Sequence, residues 1–305
     1  MAGTTASKIG SARQPVGLIG TGLFGTALAE RLLADGFPVR VYNRTREKAD
    51  PLLAWGAQWS DNPIQECRRI IFSVYTTEQV AEVLEQMHAG LELGQIILDT
   101  STSDPQQTVA MGRRLAGLGI EYLEAPFSGS SEQTRNHQAT ALVAGNRVAF
   151  DACDDLWECL AANTYYVGPW GSAAKMKLVT NLVLGLNRAA LAEGLVFAEA
   201  SGLSKENALQ VLLNSAAYSR TMDAKGPKMV QSEFTPQARL AQHIKDVRLI
   251  LAEAERGGAS LPISTVHLKL LEQAAAAGLG ELDNSAIIRV IENRNLRLGG
   301  TEKVD

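Results

Sequence analysis

Cysteine, histidine and basic charge are all scarce in this chain, and each scarcity removes a class of function. The three cysteines (Cys67, Cys153, Cys159) stand at no metal-binding spacing, and the last two fall six positions apart in a stretch that reads as helix. They are expected to be free thiols, which suits a reducing cytoplasm. The four histidines (His88, His137, His243, His267) are scattered without a His-x-x-x-His pair, so a metal hydrolase is not expected. Lys and Arg number 29 against 33 Asp and Glu, a formal charge of −4. No basic excess is available for a nucleic-acid backbone. Residues 1–14 lack an apolar core and read as a loose tail rather than a signal peptide. No internal repeat or low-complexity tract is visible. The apolar stretch 178–200 is interrupted by Asn181, Asn187, Arg188, Glu193 and Glu199, so a buried helix of a soluble protein is expected there, not a membrane span.

What is present suits one large domain or two ordinary ones: 305 residues, 46% of them hydrophobic. Up to about Gly168, short β-rich runs at 16–19, 39–42, 70–74, 96–99, 122–125, 141–144 and 164–167 alternate with amphipathic stretches such as 26–35 and 105–118. That alternation predicts an α/β fold, a doubly wound and mostly parallel sheet of Rossmann type with helices on both faces. Beyond Gly171 the strands vanish, and alanine and leucine dominate as far as Glu292. Gly202, Gly226 and the glycines at 278–280 punctuate five or more helices. The expected organisation is a tail at 1–14, a nucleotide-binding domain at 15–171 and an all-α domain at 172–300, with 178–200 as the bridge.

Gly20-Thr21-Gly22-Leu23-Phe24-Gly25 follows an apolar strand and opens an amphipathic helix. That context turns a weak glycine pattern into a dinucleotide cradle. Gly20 permits the tight turn, Gly22 admits a pyrophosphate close to the backbone, and Gly25 lets helix and sheet pack closely. Free N–H groups and the helix dipole favour the phosphates. At the end of the second strand an NAD site usually carries an acid on the ribose diol. Asn43-Arg44-Thr45-Arg46 stands there instead, and a guanidinium beside a hydroxyl suits a 2′-phosphate. NADP(H) is therefore favoured over NAD(H).

Two later loops follow strand ends, where open α/β sheets bind ligands. In Glu124-Ala125-Pro126-Phe127-Ser128-Gly129-Ser130-Ser131, Ser128 can offer a hydroxyl and Gly129 an N–H to a carboxylate; a plain Ser/Gly turn has the same composition. Asp99-Thr100-Ser101-Thr102 should lie nearby, with Ser103 or Asp104 capping the next helix. Lys177 and Asn181 form an i, i+4 pair on one helix face. A lysine starting an apolar helix either snorkels to solvent or is placed for chemistry. Lys175 points elsewhere and is expected to be solvated.

Taken together, these segments resemble the β-hydroxyacid dehydrogenase family, which includes the 3-hydroxyisobutyrate dehydrogenases. The resemblance runs from Val16 to Glu292 and adds Lys245-Asp246 and Asp283-x-Ser285 to the landmarks. Within the family the chain looks most like the glyoxylate and succinic semialdehyde reductases, on Glu124-Ala125-Pro126, Ser128-Gly129-Ser130, Lys175-Met176-Lys177-Leu178-Val179, Glu193-Gly194-Leu195 and Lys225-Gly226-Pro227. It implies a cofactor shell of Gly20, Thr21, Gly22, Leu23, Phe24, Asn43, Arg44, Thr45, Val74, Tyr75, Thr102 and Lys245. It implies Lys177, Ser128 and Asn181 as catalytic residues, and Gly129, Ser130, Thr102, Asp246 and Arg239 around a small carboxylate substrate. Lys177 would donate a proton to the substrate oxygen in reduction and accept one in oxidation, and burial would lower its pKa for that task. No metal is expected, and a homodimer or higher oligomer is.

The chain departs from the family at several points. Ser130 replaces a second glycine, and Glu132 stands near a third. Ala238 takes the place of an aromatic, which would widen the pocket, and the adjacent Arg239 offers a guanidinium for a second acidic group. The loop 216–220 is atypical. Two rival readings remain: an imine reductase, although that branch usually lacks the lysine, and a catalytically silent NADPH-binding protein.

Overall fold

A computed structural model describes residues 13–292. Nine strands form one sheet: β1 (Val16–Ile19), β2 (Val39–Tyr42), β3 (Gln58–Trp59), β4 (Arg69–Phe72), β5 (Ile96–Asp99), β6 (Glu121–Glu124), β7 (Phe127–Ser128), β8 (Thr140–Gly145) and β9 (Asn163–Gly168). Their order is β3-β2-β1-β4-β5-β6-β8-β7, with β9 paired to β8. The run from β3 to β6 is parallel. Both β6 and β7 pair antiparallel with β8, and β9 joins it in parallel.

The strand sequences explain the layering. β1, β4 and β5 are buried along their whole length, as parallel strands covered on both faces must be. Alternate residues enter two separate cores. Val16, Leu18, Ile71 and Leu98 pack with Leu28, Leu32 and Leu156. Ile19, Ile70, Phe72 and Ile97 pack with Val80, Leu84, Met111 and Leu115. Helices Leu23–Ala34 and Asp154–Leu160 therefore serve one core, and Thr77–Gln86 and Pro105–Ala116 the other. Each fully buried Leu or Ile contributes about 1.5–3 kcal/mol.

Two short strands, β3 and β7, escape the periodicity because two residues show no alternation. β7 continues the β6 edge after Ala125-Pro126, so Ser128 ends a strand opposite Thr140. Asp104, not Ser103, caps the Pro105–Ala116 helix, accepting from the Gln106 N–H at 2.8 Å. The tail expected at 1–14 lies outside the described residues except for its last two. Of these, Arg13 pairs with Asp35 at 2.6 Å and sits over the Phe37 ring.

Contacts divide the chain between Ala174 and Lys175, inside the helix Ser172–Ala200. The start of that helix belongs to the first unit, where the Glu124 carboxylate accepts from the N–H groups of Gly171 and Ala174. The described part of the second unit is helical: the rest of Ser172–Ala200, then Lys205–Leu213, Arg220–Gln231, Leu240–Arg256 and Pro262–Ala276, and a short 3-10 turn at Asn284–Ile287. Its core gathers Leu191, Leu195, Met229, Leu240, Leu271 and Ile287 among others. Gly226, expected to break a helix, lies inside one. A Cβ there would meet Leu209 Cδ1 at 2.5 Å, so this glycine serves close helix packing. Residues 293–300 of the expected helical domain lie outside the described residues.

One buried carboxylate organises the far end of this unit. Asp283 accepts from Lys225 Nζ at 2.9 Å on both oxygens. It also accepts from the N–H groups of Gln237, Ala238 and Ser285 and from Ser285 Oγ. Burial raises its pKa, but Lys225 and these donors outweigh burial and leave it below the ordinary value. The two motifs Lys225-Gly226-Pro227 and Asp283-x-Ser285 are thus halves of one knot.

Candidate active site

In the first unit the candidate residues gather at the carboxyl end of β1 and β4, where the strand order reverses. Gly20 has φ +101°, and a Cβ on it would lie 2.3 Å from the Ser73 carbonyl; one on Gly25 would lie 2.0 Å from the Gly20 oxygen. A Cβ on Gly22 would meet nothing, which leaves room beside the backbone for a ligand. The helix Leu23–Ala34 has no side-chain cap, so its first N–H groups stay available to an anion. Thr21 Oγ1 is buried without a partner in the same turn. These features fit a dinucleotide pyrophosphate.

Asn43 braces this turn from within. Its Oδ1 accepts from the Thr21 N–H at 3.1 Å, and its Nδ2 donates to the Thr45 carbonyl at 2.7 Å. Arg44 is exposed, with no hydrogen bond or ion pair among the described residues, whereas Arg46 lies over the Trp59 ring at 5.0 Å. Leu23 is exposed, and the Phe24 ring meets Phe127 edge-on at 5.4 Å. Val74 and the exposed Tyr75 follow β4, and the Tyr75 N–H donates to Gln79 Oε1.

Other residues of the first unit sort themselves. Ser128 is half-buried, and its hydroxyl has no partner among the described residues. Gly129 has φ +150°. Ser130 forms a capping box with Gln133 for the turn Ser131–Arg135, so local structure already accounts for it. Asp99 accepts from Ser101 and Tyr122 and anchors the loop that carries Thr102.

The helical unit carries its own set of candidate residues. Lys177 is buried, and its ammonium has no hydrogen-bond partner among the described residues. Burial lowers its pKa to about 8, and Asp246 opposes the shift. Asn181, one turn on, donates Nδ2 to Asp246 Oδ2 at 3.0 Å. Burial raises the Asp246 pKa against the pull of Lys245, Lys177, Arg188 and that hydrogen bond. Asp246 therefore fixes the Asn181 amide through its Nδ2. Lys175 is exposed and lies 3.6 Å from Glu253. Arg239 is exposed too and pairs with Glu281 at 3.2 Å, so the guanidinium expected to read a second acid is engaged at the surface. Lys245 is half-buried beside Asp246.

Three residues of this cluster carried no motif. Arg188, His243 and His267 are buried, Arg188 acts electrostatically on both His243 and Asp246, and the two imidazole rings lie tilted at 51° with centroids 5.3 Å apart. The sequence signal for Arg188 was its intrusion into an apolar helix eleven positions after Lys177. Among the described residues, no group of histidine, cysteine or carboxylate side chains could hold a metal ion.

A Rossmann-type sheet carrying a dinucleotide cradle, followed by a helical unit bearing a buried lysine, defines an NAD(P)-binding oxidoreductase. Residues 15–168 match the NAD-binding domain of 6-phosphogluconate dehydrogenase, and residues 171–291 match the NAD-binding domain of NADP-dependent 3-hydroxyisobutyrate dehydrogenase. Glyoxylate/succinic semialdehyde reductase 1 of Arabidopsis thaliana is 32% identical, over 91% of this chain and 98% of its own. 2-(Hydroxymethyl)glutarate dehydrogenase of Eubacterium barkeri is 30% identical, over 91% and 94%. Psf3, solved in complex with NADP+ and 2-OPP, superposes with a TM-score of 0.84 at 29% identity, covering 90% of this chain and 99% of its own. The chain belongs to the β-hydroxyacid dehydrogenase family and is a hydroxyacid dehydrogenase acting on CH–OH groups.

Proposed function

We propose that this protein is an NADPH-dependent reductase that interconverts a small carboxylate-bearing aldehyde or keto acid with its hydroxy acid, of the glyoxylate/succinic semialdehyde or 3-hydroxyisobutyrate type. The observation that carries this reading is the buried, unpartnered ammonium of Lys177 one turn from the Asn181–Asp246 pair. When bound, the dihydronicotinamide supplies the hydride. Lys177 donates its proton to the carbonyl oxygen as negative charge builds there, and takes it back in oxidation. Asn181, with its Nδ2 held by Asp246, presents Oδ1 to the substrate hydroxyl. Ser128 and the Gly129 N–H hold the substrate carboxylate, and Thr102 lies in the same set of loops.

Gly20, Thr21, Gly22, Leu23 and Phe24 cradle the pyrophosphate, with Val74, Tyr75 and Lys245 completing the cofactor shell. Arg44 and Thr45 receive the 2′-phosphate; the free guanidinium of Arg44 and the lack of an acid at this strand end support NADP(H) over NAD(H). We further propose a cytoplasmic homodimer or higher homo-oligomer. The exposed apolar residues Val179, Val183 and Phe197 on the Ser172–Ala200 helix support pairing through the helical unit. Neither a nucleic acid nor a membrane is among the proposed partners.

An NADPH-consumption assay across glyoxylate, succinic semialdehyde, methylmalonate semialdehyde and cyclic imines tests the reading. Turnover of an aldehyde acid is expected. Turnover of imines alone would make the protein an imine reductase, and NADPH binding without turnover would leave a silent nucleotide binder.

A further inference from the structure

We propose that His243 is a positioning residue: its ring, seated on the bare backbone of Gly185 and backed by His267, sets the register of two helices in which Asp246 holds the amide of Asn181. The consequence for turnover rests on the reductase reading above and adds a residue to it.

Three points fix the helices Ser172–Ala200 and Leu240–Arg256 against each other within the helical unit. Lys175 lies 3.6 Å from Glu253, Asn181 donates to Asp246 at 3.0 Å, and Gly185 faces His243. The contacts ascend one helix while they descend the other, so the two run antiparallel. The second and third points stand four residues apart on the first helix and three apart on the second, about one turn on each. Lys175 is exposed, so its pair with Glu253 contributes little. The register therefore depends on the Asn181–Asp246 bond and on the seat of His243 at Gly185.

That seat is tight. A Cβ on Gly185 would lie 2.5 Å from His243 Nε2, 2.8 Å from its Cε1 and 2.9 Å from His267 Cε1. Both imidazoles thus press on one turn of helix, and any side chain there would push them away. The two residues are only 6% and 3% exposed, with ring centroids 5.3 Å apart. In a close-packed interior a ring displaced from Gly185 must move its neighbours.

Stability alone does not account for imidazoles at this place. Nε2 of each ring is buried without a hydrogen-bond partner, and an unpaired buried polar atom destabilises a fold. Burial, then the charges of Arg188, His267 and Lys177, keeps the His243 ring neutral. A flat neutral ring can lie close against a bare helix backbone. His243 precedes Asp246 by three residues on one helix, so the two side chains share a face. Seating the ring on Gly185 therefore presents Asp246 to Asn181 one turn away. Asp246 also supports the charge of Lys177, opposing the burial that brings its pKa down to about 8. Moving Asp246 out of register weakens that support and lowers the Lys177 pKa further. A ring that only filled space would leave it alone.

NMR titration of the full-length protein carrying isotope-labelled lysine reads the Lys177 inflection without substrate, and Lys177→Met identifies its resonance. The unmodified protein should inflect near pH 8. His243→Ala should bring the inflection down by about one pH unit. It should lower kcat about 10- to 100-fold and leave the KM for NADPH unchanged. Gly185→Ala, which crowds the seat instead of emptying it, should act in the same direction. His243→Gln, which keeps a flat polar group there, should retain most of both values and serves if the other variants fail to fold: any downward move it shows must be smaller than theirs. Met229→Ala, a core truncation elsewhere in the helical unit, should lower the melting temperature and leave the inflection in place. An inflection unmoved in folded His243→Ala or Gly185→Ala overturns the proposal, however far the melting temperature drops. So does an equal downward move in Met229→Ala. The titration involves no hydride transfer, so the two readings fail separately. A His243-dependent inflection in a protein that reduces no aldehyde supports the positioning role and removes the reductase reading; NADPH turnover with an inflection indifferent to His243 does the reverse.

Discussion

An ammonium taken out of water holds its proton less firmly, and a nearby carboxylate restores part of the grip. Lys177 sits at that balance, with a pKa of about 8. As the acid in reduction it must be protonated, so the reductive rate should hold below about pH 8 and fall above it. The oxidative rate, which needs the free amine, should rise through the same interval. A pH–rate profile in both directions checks the sign. Lys177→Ala should lower kcat about 10²- to 10⁴-fold while NADPH binding, read by fluorescence titration, is retained; full activity in that variant would refute the assignment. Arg44→Ala should raise the KM for NADPH about tenfold and leave that for NADH unchanged, because the lost hydrogen bonds go to a phosphate that NADH lacks.

Helix ends and strand ends place these side chains, and at that level the sequence was legible where periodicity was strong. β1, β2 and β5 fall where alternation and apolar runs put them. β3 and β7 did not show, because two residues carry no period and their pairing is fixed by neighbours far along the chain. The site followed the same division. Lys177, Asn181, Ser128 and the cradle were visible as local spacing. The second role of Asp246, which braces Asn181, depends on two helices meeting 65 positions apart. Arg188 and the imidazole pair depend on three helices, and Arg239 faced solvent for reasons that no local pattern records. The Asp283 knot joins elements in the same long-range way. Asp283→Ala would leave Lys225 buried and unpaired, a change that typically costs about 3–5 kcal/mol. Chemical denaturation should show that loss, and removing an exposed pair such as Arg248–Glu272 should cost under about 1 kcal/mol.

The whole molecule carries a pH dependence that follows from its two buried imidazoles. Burial first, then Arg188, holds the His243 pKa well below 6.5 and that of His267 at about 4. Below about pH 6.5 the unfolded chain binds protons that the folded chain refuses, so stability falls as pH falls. The slope approaches about 1.4 kcal/mol per pH unit for each histidine, and for His267 it flattens near pH 4. Thermal unfolding at pH 7, 6 and 5 should show the midpoint dropping, and His267→Gln should reduce the drop. All three thiols are buried, with pKa values raised by burial to about 11 for Cys67 and about 12 for Cys153 and Cys159, so little thiolate forms at neutral pH. Asp283 has a consequence of another kind. Lys225 leaves the ribosome 58 residues before the carboxylate that neutralises it, so during synthesis the growing helical unit holds a cation it cannot yet bury. The unit can settle only once Asp283 has emerged, and messages truncated before that codon should yield chains that quality control destroys.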